Sequence, residues 1–171
     1  MSTIHSFGPV VNEYSRVLIL GSIPGKESLK KQQYYGHAHN AFWPLMSKLL
    51  KEPHVDDYLQ RLDMLLRHRI ALWDVIQSCE RESSLDAHIK NPVVNDFTGL
   101  FAAYPQIRHV FFNGQKAHST FARYVGFQFE GLSFKRLGST SPAHAISFEK
   151  RLQDWQRLLN CLEQGDDNDK L

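Results

Sequence analysis

Cysteine is scarce: Cys79 and Cys161 are the only two in 171 residues. Two thiols cannot build a disulfide framework or a four-cysteine metal cluster, so free thiols in a reducing cytoplasm are expected. Charge of one sign is lacking too. With 20 Lys+Arg against 18 Asp+Glu the formal net charge is +2, which excludes a histone-like or ribosomal-tail protein. The closing GDDNDKL holds three Asp and one Lys, a net −2 that leaves about +4 on the body before it, enough for a local basic face. No apolar run is long enough to span a bilayer, and no charged-then-apolar signal opens the chain, so no membrane partner is expected. Internal repeats, a GxxxxGK[ST] phosphate loop and an acidic cluster for Mg²⁺ are missing as well.

What is present reads as one domain over residues 1–164, with residues 165–171 as an acidic disordered tail. Met1 to Tyr14 is a loop-like lead-in. Buried strands are predicted at Arg16–Leu20, Ile70–Asp74 and Val110–Asn113 from short apolar runs that end in turn residues, with a fourth strand around Phe134–Leu137. Between them lie helices at Phe42–Leu50, Val55–His68, Asn95–Tyr104, Gln115–Tyr124 and Phe148–Leu162, each with apolar residues at helical spacing. Alternating strands and helices imply an α/β fold with a parallel sheet covered on both faces. Four polar turns, GSIPG, WDVIQSCERESS, FNGQKA and GSTSPAHA, each follow a strand. In such a sheet they share one rim, where ligands bind.

The stretch from Leu20 to Trp43 organises that rim. Gly21 and Gly25 let the backbone turn sharply and approach a ligand, while Pro24 fixes φ. Beyond the turn, Tyr34, Tyr35, His37, His39, Asn40, Phe42 and Trp43 combine flat rings with neutral hydrogen-bonding groups, a mixture suited to a flat heterocycle. Plainer readings stand beside this one. Phe42 and Trp43 suit the core face of a helix, Asn40 suits its N-cap, and Asp74 suits a cap or an arginine partner. Glu80, Arg81 and Glu82 read as a solvated charged face. His37 and His39 have no third ligand at their spacing, so no metal is expected.

Taken together, GSIPG, QQYYGHAHNAFW, LWDVIQSCERESSLD, FNGQKA and STSPAHA resemble the uracil-DNA glycosylase superfamily, most closely its hypoxanthine (deoxyinosine) branch, from about Val17 to Trp155. The resemblance implies a three-layer α/β/α sandwich around a four-stranded parallel sheet. It also implies monofunctional excision of a deaminated base, hypoxanthine preferred, leaving an abasic site without cofactor. The partner would be damaged DNA, met through a flipped base and flanking phosphates. A monomer with no obligate protein partner is expected, cytoplasmic, and nucleoid-associated if bacterial.

By the same resemblance Asn40 is the catalytic residue. An amide is no general base at neutral pH, but it can accept from water and donate to a base or sugar oxygen. Tyr35 takes the place of the ring that stacks on the flipped base, with Phe42, Ser22, Ile23, Asp74 and Ser78 as further base-binding residues. An ionised aspartate accepts from N1–H of hypoxanthine and repels an acceptor face. DNA contacts fall to Pro24, Gly25, Lys116, Ser139, Thr140, Ser141, Pro142 and His144. Two departures stand out. Ile23 occupies the place where many relatives carry an Asp or Asn that handles water, and Ser139 replaces the catalytic histidine of the classical uracil enzymes. A histidine such as His144 is also commonly structural. The alternatives are a uracil or G:U/T mismatch specificity, a nucleotide-phosphate-binding hydrolase, and a non-catalytic DNA-damage-binding module.

Overall fold

The computed structural model describes the backbone of residues 3–169 and the side chains of residues 3–163. Four strands, β2 (Val17–Gly21), β3 (Ile70–Asp74), β6 (His109–Asn113) and β7 (Ser133–Leu137), form one parallel sheet in the order β3-β2-β6-β7. Every residue of β2 and β3 is buried, as expected for strands covered on both faces. In register, Gly21 lies opposite Asp74, and Asn113 opposite Leu137. All four carboxyl ends therefore emerge together, and the chain reverses its direction of winding between β2 and β6.

Alternation across the strands sends side chains into two apolar layers. Trp73 and Phe112 meet helices α4 (Phe97–Ala103) and α5 (Gln115–Tyr124): Phe97 and Phe121 have ring centroids 5.0 Å apart, Trp73 lies 5.2 Å from Phe97, and Phe112 lies 5.1 Å from Phe121. The opposite layer holds α2 (Phe42–Leu49), α3 (Tyr58–Arg67) and α6 (Phe148–Asp169), joined through Phe42 against Trp155 and Trp43 against Tyr58. Local chemistry sets the helix starts. Asp57 accepts from the Gln60 amide and Asp96 from the Gly99 amide, two side-chain N-caps. The predicted Val55–His68 and Asn95–Tyr104 helices accordingly begin later, at Tyr58 and Phe97.

Three features depart from the sequence-based expectation. The lead-in contains a strand, β1 (Thr3–His5), and the polar stretch after Asp74 contains two more, β4 (Ile76–Glu80) and β5 (Lys90–Val94). These form a separate antiparallel sheet, β1-β4-β5, above a small apolar cluster of Ile23, Ile76 and Cys79. A short helix, α1 (Lys26–Lys31), follows the glycine turn. Finally, α6 continues through residues 165–169, where a disordered tail is predicted. That segment has no proline to interrupt the backbone ladder, and residues 170 and 171 lie outside the described part. Among the described residues no helix is long and apolar enough to cross a membrane.

Candidate active site

A cleft of about 1050 Å³ opens at the carboxyl ends of the parallel strands, the position expected for a ligand in an open α/β sheet. Its floor is built around Gly21. A Cβ there would stand 2.7 Å from Asp74 Oδ1 and 2.9 Å from the Tyr35 hydroxyl, so only glycine lets the carboxylate and the phenol converge. Asp74 is 4% exposed, and its Oδ2 accepts a 2.7 Å hydrogen bond from Ser6 Oγ, just past β1. Burial pushes the Asp74 pKa up to about 7, with the Ser6 hydrogen bond opposing and the charge of Asp86 adding to the shift.

Tyr35 has φ +55° and stacks on Phe42 with centroids 4.1 Å apart and planes 28° from parallel. Its left-handed backbone is held from the preceding residue. The Tyr34 amide donates to Tyr58 Oη, Tyr34 Oη donates to Gly8 O, and Trp43 Nε1 donates to Tyr34 O. Over-determination of this kind sustains a strained residue at a site. The Tyr35 hydroxyl is buried with no well-formed hydrogen bond, and its pKa is pushed upward by burial and then by the Asp74 charge, with the nearby Asn113 amide opposing.

Asn40 also lines the cleft. Its Oδ1 accepts from the Phe42 amide at 2.9 Å, an Asx-type turn that leads into α2 one position before the N-cap, Ala41, and its NH₂ makes no hydrogen bond among the described residues. Helix-start and cleft roles therefore coexist in one side chain.

The far wall is the Gly138–His144 loop, and it is firmly tied. Asp154 accepts from the Gly138 amide, Trp155 Nε1 donates to Gly138 O, and Arg151 donates to Ser139 O and His144 O. Ser139 Oγ and Ser141 Oγ each accept a loop amide, from Ser141 and Ala143. Their hydroxyl protons remain free to donate outward. At Gly114, which precedes α5 with φ +100°, a Cβ would lie 3.0 Å from Ser139 Cβ, so glycine is required on both counts. Lys116, Arg136 and Arg157 supply the basic lip on this side.

Several predicted residues change role. Thr140 borders the cleft but is 1% exposed, and its Oγ1 accepts from Asn113 while its amide donates to Asn113 Oδ1, so it fastens the loop. Phe42 is fully buried behind Tyr35 and does not line the cleft. Ser78 does not line it either, because β4 places it in the small sheet between His5 and Val93. Arg81 is no solvated surface residue: it is 3% exposed, donates from Nη2 to Pro24 O at 2.6 Å, and keeps Nε and Nη1 without partners. The cleft does gather Ser22, Ile23, Pro24, Gly25, Tyr35, Asn40, Asp74, Lys116, Ser139, Ser141, Pro142 and His144.

Sequence reasoning missed Ser6, Ser84 and Asp86. Ser84 Oγ accepts from the Lys26 amide, and Ser22 Oγ donates to Asp86 Oδ1 at 2.8 Å. His37 Nδ1 accepts from the His39 amide, and among the described residues no group of three His, Cys, Asp or Glu could hold a metal ion.

This geometry has counterparts in known proteins. Residues 9–163 match the family model of the uracil DNA glycosylase superfamily. Two proteins named hypoxanthine DNA glycosylase are each 38% identical: one from Methanosarcina barkeri over 87% of this chain and 93% of its own, one from Methanosarcina acetivorans over 89% and 95%. A solution NMR structure from Methanosarcina acetivorans, provisionally named a uracil DNA glycosylase, superposes with a TM-score of 0.79 at 36% identity, covering 95% of this chain and 99% of its own. With its cleft at the carboxyl ends of a four-stranded parallel sheet and a match spanning nearly all of its length, the chain belongs to the uracil DNA glycosylase superfamily.

Proposed function

We propose that this protein is a monofunctional DNA glycosylase that flips hypoxanthine out of damaged DNA and hydrolyses its N-glycosidic bond. The observation that carries this reading is the convergence of an aromatic ring and a buried carboxylate over Gly21. A flipped base needs a face to stack on and a partner for its edge, and Tyr35 and Asp74 supply both. Deamination of adenine turns N1 from an acceptor into an N1–H donor. Ionised Asp74 accepts from that donor and repels the adenine lone pair. The names of the two archaeal relatives agree with the preference.

In this reading the amide NH₂ of Asn40 donates to the departing base, where negative charge develops, and Ile23 walls the pocket on its apolar side. Pro24, Gly25, Pro142 and His144 contact the strand, while Ser139, Ser141 and Lys116 engage its phosphates. The test is single-turnover excision on matched oligonucleotides carrying deoxyinosine, deoxyuridine, deoxyxanthosine or deoxyadenosine, followed by alkaline cleavage of abasic sites. Breaks at deoxyinosine are expected. Breaks only at deoxyuridine would overturn the base assignment, and tight binding without breaks would leave a damage-binding module.

Tyr35→Ala is expected to weaken capture of the flipped base by about 1–3 kcal/mol, the usual contribution of base–aromatic stacking. Tyr35→Phe keeps the face and discards a hydroxyl that has no well-formed hydrogen bond, so it retains capture. Fluorescence of a 2-aminopurine neighbouring the lesion reads both variants.

A further inference from the structure

Resting on the glycosylase reading, we infer that Asp86 is a further catalytic residue: its carboxylate binds the attacking water and takes a proton from it as the glycosidic bond breaks. Hydrolysis needs an acceptor for that proton, and the carboxylate and amide side chains that line the cleft leave few choices. Asn40 Oδ1 accepts from the Phe42 amide, and although its second lone pair can hold a water, an amide is not a base that takes the proton at neutral pH. Asp74 lies at the floor beside Gly21, bonded to Ser6, where it meets the base edge rather than the sugar. Asp154 is committed to the Gly138 amide and to Arg157 Nη2. Glu27 stands on α1, outside the glycine turn.

Asp86 differs from each of these. It is exposed at the cleft wall, and one oxygen is oriented by Ser22 Oγ, the residue next to Ile23 in the turn. Its charge is felt by Asp74 and Tyr35 on the floor and by Cys79 and Arg81 on β4 and just past it, so it faces the same cleft as the floor residues without touching them. An exposed carboxylate in a cleft that receives a polyanion is unfavourable for binding. It becomes favourable once positive charge develops on the sugar. The small antiparallel sheet has a role here, because the β4–β5 connection carries Asp86 to the turn whose own residue, Ile23, has no proton chemistry.

In the hydrolytic step one O–H bond of water breaks, its proton passing to Asp86, and the water oxygen bonds to C1′ of the deoxyribose. The C1′–N9 bond breaks with its electron pair on N9, toward which Asn40 directs its NH₂. The released purine takes a proton from solvent, and Asp86 returns its own to solvent.

Asp86→Asn keeps an oxygen for Ser22 and nearly the same shape, so folding and DNA binding should survive. Its single-turnover rate on deoxyinosine DNA is expected to fall by about 100-fold or more, within the range for a general base. Affinity for a non-cleavable 2′-fluoro-deoxyinosine duplex should be unchanged or tighter. Added formate should partly restore excision to Asp86→Ala and leave wild type unaffected. Excision by Asp86→Asn near the wild-type rate would overturn the inference while the glycosylase reading stands, as would a slowed rate matched by an equal loss of binding. A wild-type protein that releases no deaminated base would overturn both.

Discussion

Asn40→Ala should slow excision of hypoxanthine by about 10²–10³-fold while the protein still binds DNA. The side chain does two jobs, and they separate cleanly. Its Oδ1 holds the first amide of α2, that of Phe42, and loss of a side-chain bond to a helix-terminal amide costs about 1 kcal/mol of stability. Its NH₂ is an unspent donor in the cleft, and removing one preorganised donor from the site of developing charge typically costs about 10²–10³ in rate. A modest fall in melting temperature is therefore expected together with a large fall in single-turnover rate. Asn40→Ser divides the two effects, because a serine hydroxyl can accept from the same i+2 amide and carries no NH₂. It should recover the stability and none of the activity. Wild-type excision by Asn40→Ser would remove Asn40 from the catalytic machinery and leave it a helix-start residue.

Three strands of the parallel sheet could be read from the sequence because they are nearly continuous apolar runs, whereas β7, SFKRL, carries Lys135 and Arg136 exposed at the sheet edge. Val17 to Leu20 and Ile70 to Leu72 are fully buried, as such runs predict. The small sheet was illegible for the opposite reason. Thr3, Ile4 and His5 are three residues with little pattern of their own, and they become a strand only by pairing with Ser78, Cys79 and Glu80 far along the chain. Missing that pairing hid the Ser6 hydroxyl beneath Asp74 and the route that brings Asp86 to the cleft. Arg81 left a clue that went unused: Cys79 and Arg81 are two apart in an extended stretch and share its buried side, whereas a run of charges suggests a solvated face. Thr140 misled because a hydroxyl in a DNA-facing loop looks available until its partner is known. That partner, Asn113, comes from another strand.

Asp74→Asn should stabilise the protein at alkaline pH and at the same time damage its chemistry. The sign follows from burial. An aspartate whose folded pKa stands near 7, above an ordinary value near 3.8, favours the folded state when protonated. Its contribution is fully present below the ordinary value and is lost as pH rises through about 7. The gap corresponds to roughly 4 kcal/mol at pH values above both, an upper bound for what a neutral isostere recovers. The substituted amide cannot ionise, so the variant's advantage in denaturant midpoint should be small near pH 4, grow through neutrality and level off above about pH 8. Activity moves the other way. The wild-type carboxylate offers N1–H of hypoxanthine a charge-assisted hydrogen bond, a class worth about 1.5–3 kcal/mol, so its loss should slow deoxyinosine excision by roughly 10- to 150-fold. The amide can also turn its NH₂ toward N1 of adenine, which the carboxylate repels, so discrimination against deoxyadenosine should relax. In wild type the same preference should sharpen as pH rises through about 7 and Asp74 ionises. A variant that gains no stability at about pH 8.5 relative to about pH 4 would show that Asp74 is not held charged against its burial. Unchanged selectivity would show that it does not read the base.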